Sequence, residues 1–368
     1  MKSEQDRERI EANATETPAQ PERPPAKKQW MWTIIFILIA AVSVLAVVLQ
    51  SREFSLSQFW SYLTEASLPW LGVSLLGMLG FIFFEGFALL IICRAFGYRQ
   101  KIGHGYIYSA SDIYFSAITP SATGGQPASA YFMMKDGIPG MVVTVALVAN
   151  LCMYTLAIVA IGAICFTFHF DVFLSFNLVS KVLILVGVVM QLGLALFFFL
   201  LLKNGALLHR ICRAVIHFLC KIRILRHEER KQAKLDASME RYRGYAHVLS
   251  GHRKTLIFVF LFNFLQRASQ IAVTMFTYLA SGGSLSRAGE LWAMQGYVVI
   301  GSNSIPIPGA MGVSDYIMLD GFRSIMSESA AVNLELLSRS FSFYICIFLC
   351  GISTLIQFQR LKKRRTLS

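Results

Sequence analysis

Charge is what this chain has least of. Only 15% of its 368 residues are Asp, Glu, Lys or Arg, where a soluble protein carries about 25%. That scarcity excludes an ordinary soluble domain. No two cysteines stand in a Cys-x-x-Cys pair, so the seven cysteines read as small apolar packing residues and imply no disulfide framework. The seven histidines are scattered, without His-Glu-x-x-His or another metal-ligand spacing. No Gly-x-x-x-x-Gly-Lys loop is present to cradle nucleotide phosphates. The expectations are therefore no enzyme, no metal, no cofactor and no ATP drive within the chain.

What is present is apolar sequence in long runs. Hydrophobic residues make up 55% of the chain, and the mean hydropathy is +0.56. This composition predicts an all-α, polytopic membrane protein. Residues 1–29 are polar and proline-containing, and are expected to be a disordered cytoplasmic tail. Six full spans are predicted near 30–49, 68–93, 139–168, 179–202, 255–280 and 336–358. A fifty-residue loop at 203–254 carries thirteen Lys/Arg against four acids. Ile211, Val215, Phe218, Leu219, Ile222 and Leu225 recur there at near-helical spacing, which predicts a basic amphipathic helix on anionic lipid. The chain closes on a basic tail at 361–368. The net charge of +13 lies in such clusters beside spans, not in a nucleic-acid-binding domain.

Two stretches depart from apolar helix. Ile118 to Tyr131 reads Ile-Thr-Pro-Ser-Ala-Thr-Gly-Gly-Gln-Pro-Ala-Ser-Ala-Tyr; Ile307 to Tyr316 reads Ile-Pro-Gly-Ala-Met-Gly-Val-Ser-Asp-Tyr. Pro120, Ala122 and Gly124 align without gaps to Pro308, Ala310 and Gly312. Proline and glycine break a helix ladder, and broken backbone at membrane depth is tolerated only inside protein or beside a polar cavity. Lys/Arg placement puts both termini and the 203–254 loop in the cytoplasm. The topology then closes only if both broken regions, near 104–137 and 288–327, are re-entrant hairpins opening to opposite sides. Two inverted repeats follow, 30–168 and 169–360, a recurring transporter design whose broken helices mark the binding site. The alternative for each broken stretch is a plain surface loop.

On these motifs the chain resembles the transmembrane region of lysylphosphatidylglycerol synthases and their stand-alone flippase-like relatives. Thr119 to Pro127 is similar to that family's first signature and Pro306 to Gly312 to its second, with Asp315 where the family usually has Glu. The resemblance covers most of 30–360. It implies movement of a phospholipid, aminoacylated or otherwise polar-headed, across a bacterial cytoplasmic membrane. Only about ten residues follow the last span, so the family's soluble aminoacyl-transfer domain is expected to be absent. A separate lipid-synthesising enzyme, or a second copy of the chain, would then be the partner.

Ionisable residues within spans are expensive and mark function by default. Glu85 and Arg267 each lie on the span preceding a broken hairpin; they are expected to approach each other or to face one polar cavity, and the competing reading is a structural ion pair. The half-helices after each break present N–H groups and a positive dipole end to an anion. A lipid phosphate is the expected ligand, with Thr119, Pro120, Ser121, Thr123, Gly124, Gly125, Gln126, Asn303, Pro308, Gly309, Gly312 and Asp315 around it. The competing reading is that the Pro/Gly elements only allow close packing. Arg339, placed near the start of the last span, is expected to snorkel to the interface or meet a phosphate there. Two further functions remain open: a secondary transporter of a small polar anion, and a non-transporting subunit recruiting partners through 203–254. Gly103-His104-Gly105 is expected to be a turn.

Overall fold

The computed structural model describes residues 56–119, 122–221, 228–305 and 312–366. The span expected at 30–49, the tail before it, and Ile222, Leu225, Pro120, Ser121, Pro308 and Gly309 lie outside the described residues. The described chain is all helical. In order come α1 (Leu56–Glu65), α2 (Leu68–Ala95), α3 (Ile102–Ile118), α4 (Gly125–Lys135), α5 (Gly140–Phe168), α6 (Phe170–Ser175) and α7 (Leu178–Lys203). There follow α8 (Gly205–Lys221), α9 (Glu228–Gly251), α10 (Arg253–Ala280), α11 (Ala288–Ser302), α12 (Val313–Arg323), α13 (Glu328–Arg339) and α14 (Cys346–Thr366).

Five candidate spans are long and apolar enough to cross a hydrocarbon core of about 30 Å: α2, α5, α7, α10 and the run Glu328–Leu361. The first four match the sequence expectation within a few residues. The last starts eight residues earlier than 336. Its first turns carry Glu328, Asn333, Glu335 and Arg339, polar side chains that hid the helix from an apolar-run reading. A π-helical stretch, Ser340–Ile345, separates α13 from α14. On α7 the large apolar residues Leu178, Val182, Leu185, Val186, Val189 and Leu196 are exposed. An apolar face of that length is suited to lipid.

Helices α2 and α10 form the central pair. They run antiparallel, with Ser67 N donating to Ala280 O at 2.7 Å. The first broken stretch is a helical hairpin, α3 and α4, joined through residues 119–124. Its open end is closed by one acid. Asp136, just past α4, accepts from Tyr108 Oη at 2.6 Å and contacts His104 Nδ1 at 2.6 Å; its carbonyl accepts from Gln100 Nε2 at 3.0 Å. Gly103, His104 and Gly105 therefore lie within α3, not in the expected turn. The reason is packing: a Cβ on Gly86 would come within 2.7 Å of the Gly105 carbonyl, so the glycines let α2 and α3 touch backbone to backbone.

The second broken stretch pairs α11 with α12, and Arg287 Nη1 donates to Ile325 O at 3.3 Å across its open end. The two open ends sit at opposite ends of α5. Asp136 shortly precedes α5, whereas His169, directly after it, packs on Gly289 and accepts through its carbonyl from Tyr297 Oη at 3.2 Å. About 40 Å of helix separates the two ends at 1.5 Å per residue.

The described residues of 203–254 are mostly helix: α8 and α9 pack on each other, and α9 also packs on α5. Met239, Tyr242, Ala246 and Leu249 join the same apolar core as Leu89, Val142 and Val145. Tyr242 Oη donates to Leu201 O at 3.2 Å, and burial pushes its phenol up to about 12.

Candidate functional site

Glu85 lies midway along the bundle on α2 and is 6% exposed. Its Oε2 accepts from Ser109 Oγ on α3 and from Gln266 Nε2 on α10, each at 3.0 Å. Asp112, one turn beyond Ser109 on α3, is a second buried acid. Asp112 also accepts from Ser116 Oγ at 3.0 Å and from Gln126 Nε2 at 2.6 Å. Gln126 opens α4, so the carboxylate spans the break in the first hairpin. A Cβ on Gly125 would overlap Asp112 Oδ1 and Ser116 Oγ, so this position excludes any side chain. Thr119 braces the tip, accepting from Gly124 N at 2.8 Å and donating to Phe115 O at 2.6 Å. Ala122 holds φ 53°, a left-handed conformation that costs an L-residue about 1–2 kcal/mol. Thr123 is exposed beside it.

Arg267 follows Gln266 but turns to the other hairpin. It donates to Gln270 Oε1, and its Nη2 reaches Asn303 Oδ1 at 3.5 Å, just before the second break. Its guanidinium lies 4.4 Å from the centroid of the Tyr154 ring and 5.5 Å from that of Phe81. Such stacking favours a desolvated arginine. Asn303 also accepts from Tyr154 Oη at 2.8 Å, and Ser304 Oγ donates to Gln191 Oε1 at 2.8 Å. Neighbouring residues at the middle of α10 are thus linked to the first hairpin through Glu85 on α2 and to the second directly. Glu85 and Arg267 do not form an ion pair; they share one polar cluster, with Asp112 between the acid and the first tip.

The second motif is built differently. Asp315 Oδ2 accepts from Gly312 N at 2.8 Å, capping α12, where Gly312 takes φ 82°. Arg339 donates to Asp315 Oδ1 and Ser314 Oγ, and its Nε stands 3.7 Å from Glu335 Oε1. The Arg339 side chain is 13% exposed. It is a buried partner within a span, not a snorkelling residue at a span start. The anion expected at the half-helix N-termini is supplied by the protein itself: Asp315 at α12, and Asp112 beside Gly125 at α4.

Asp112, Glu335, Tyr154, Gln191 and Gln266 belong to these clusters and were not singled out from the sequence. For Asp112 a signal was available, since it is an ionisable residue within a helix near the first break; Glu335 lay among the polar residues that hid the start of the last span. Tyr154 and the glutamines are neutral, and only the fold joins them to Arg267 and Glu85.

The sequence matches the lysylphosphatidylglycerol synthase TM region over residues 34–350. The chain belongs to that family. It is a multi-pass membrane protein, and both broken hairpins, the Glu85–Asp112–Arg267 cluster and Asp315–Arg339 fall within the matched region. One similar protein is the UPF0104 membrane protein PH1989 of Pyrococcus horikoshii, 24% identical over 251 residues, which cover 66% of this chain and 73% of that one. No solved structure matches the chain. Among the described residues no group of three His, Cys, Asp or Glu is placed to hold a metal ion.

Proposed function

We propose that this family member translocates a phospholipid across the cytoplasmic membrane, through a site formed where α2 and α10 link its two broken hairpins. In this reading the chain has six spans and two re-entrant hairpins, arranged as two inverted repeats with both termini in the cytoplasm. The hairpin mouths at opposite ends of α5 support the inversion. Lys/Arg placement supports the orientation.

The observation that carries the reading is the pairing of Gln266 with Glu85 on one side of α10 and of Arg267 with Asn303 on the other. Arg267, stacked on Tyr154 at mid-span and with no carboxylate within ion-pair distance among the described residues, fits a lipid phosphate. The half-helix N-termini are not assigned to the phosphate, because protein carboxylates stand there. Arg339 and Asp315 are assigned to holding the second hairpin against α13. The fold at 203–254 leaves α8 as the basic face toward anionic lipid.

The test is mass spectrometry of lipids retained by the gently purified protein, wild type against Arg267→Ala. One lipid class enriched over bulk membrane and lost in the variant is the expected result. Retained lipid that mirrors the membrane in both proteins contradicts the headgroup site and favours transport of a small polar anion.

A further inference from the structure

The two acids of the cluster raise a question of hydrogen atoms. Glu85 receives Ser109 and Gln266, and Asp112 receives Ser116 and Gln126. Glu85 meets α3 at Ser109, and Asp112 lies one turn further along that helix, so the two buried acids are neighbours. Ionised carboxylates are acceptors only, and the groups bonded to these two are all donors. Glu85 and Asp112 are each 6% exposed. Facing them are Arg267 from α10 and the Cys350 thiol from α14, with Cys346 against it; Tyr154 from α5 covers Arg267. One guanidinium against two carboxylates leaves an excess negative charge in a buried place, which is costly. A single bound proton removes it.

A second observation points to exchange at this place. Among the described residues, Gln126 Oε1, Gln266 Oε1 and Arg267 Nε are buried without a hydrogen-bond partner. Gln266 is only 2% exposed, and its other amide atom touches Glu85. Buried polar atoms are normally satisfied. Two acceptors and one donor around an acid pair match a proton-delivering water and an anionic oxygen.

We propose that Glu85 and Asp112 form a proton site, and that its protonation is coupled to binding of an anionic headgroup at Arg267. The proton site rests on this grouping of two buried acids with one guanidinium; the coupling rests on the lipid reading above. With one shared proton the cluster is neutral. An arriving phosphate adds a negative charge, and a second proton taken from water onto the remaining carboxylate restores neutrality. When the headgroup leaves, that proton returns to water. Headgroup affinity therefore rises as pH falls, and by linkage headgroup binding draws in protons.

The experiment uses the full chain in phosphatidylcholine nanodiscs. Dioctanoyl phosphatidylglycerol, whose headgroup has no titratable group except its phosphate, is titrated by calorimetry at several pH values in buffers of different ionisation enthalpy. Expected is uptake of about one proton per lipid, with Kd tightening up to tenfold per pH unit. Asp112→Asn and Glu85→Gln should flatten that slope and remove the uptake. Binding without proton uptake in wild type, or the wild-type slope in Asp112→Asn, overturns the coupling.

Absence of lipid binding at every pH would instead defeat the lipid reading. The proton site is then decided by infrared difference spectroscopy of the lipid-free protein. The carbonyl band of a protonated carboxylic acid should vanish on alkaline titration of wild type and be diminished in Asp112→Asn. Glu335→Gln separately accounts for any band from Glu335, the other buried acid within a span. A wild-type spectrum with no such band overturns the site, and this outcome needs no folded variant.

Discussion

Arg267 and Arg339 are both buried arginines within spans, and their surroundings assign them different tasks. Arg339 is bonded to Asp315 and close to Glu335, so its removal leaves two buried acids uncompensated. Loss of one partner from such a pair costs about 3–5 kcal/mol. Arg339→Ala should therefore lower the thermal midpoint steeply in a detergent melt. Arg267 has aromatic and amide neighbours instead, so Arg267→Ala and Glu85→Gln should abolish transport while expression and monodispersity stay near wild type. A comparable loss of folding in all three variants would make the Glu85 cluster structural. Glu85 and Arg267 were legible in the sequence because a charge inside an apolar run is conspicuous. That they do not pair directly was not legible, since Asp112 is brought between Glu85 and the first tip only by the close approach of α2 and α3.

At the scale of elements, the first hairpin depends on two contacts. One is the backbone approach at Gly86 and Gly105. Gly86→Ala places a methyl within 2.7 Å of a carbonyl that cannot turn away. It should cost about 1–3 kcal/mol and be read as a lower thermal midpoint. The other is Asp136, which ties α4 to the first turns of α3. Asp136→Asn keeps the shape but weakens the hold on His104 and Tyr108. Amide hydrogen exchange should then rise across 102–108 and 130–136 while α10 stays protected; unchanged exchange at the mouth would contradict this latch. Proline and glycine revealed that both stretches break. The closure of each open end was hidden, because Asp136 looks like a loop acid and Arg287 like a flanking cation until the helices are paired. The last span was misplaced at its start for a related reason: Arg339 read as interfacial, whereas Asp315 satisfies it at depth. Gly103 to Gly105 looked like a turn because glycines permit turns and close helix contacts alike.

At the scale of the whole molecule, the inverted arrangement is a statement about sides. Lys101 and Ser286 stand exposed at the mouths of the two hairpins. They suit cysteine reporters better than the nearby glycines, since Gly137 has φ 85° and a Cβ on Gly283 would overlap the Tyr278 ring. In a cysteine-free background, Lys101→Cys should label from the cytoplasm and Ser286→Cys from outside. Labelling of both from one side would end the inverted-repeat reading.

The central claim is that the site between the two hairpins carries a lipid headgroup across the bilayer. It is tested most directly in liposomes containing purified protein and acyl-labelled phosphatidylglycerol, with a membrane-impermeant quencher added outside. Wild-type protein should expose inner-leaflet probe to the quencher over time, and Arg267→Ala protein, reconstituted to the same density, should leave it protected. Protection in both, or equal exposure in both, would contradict the account.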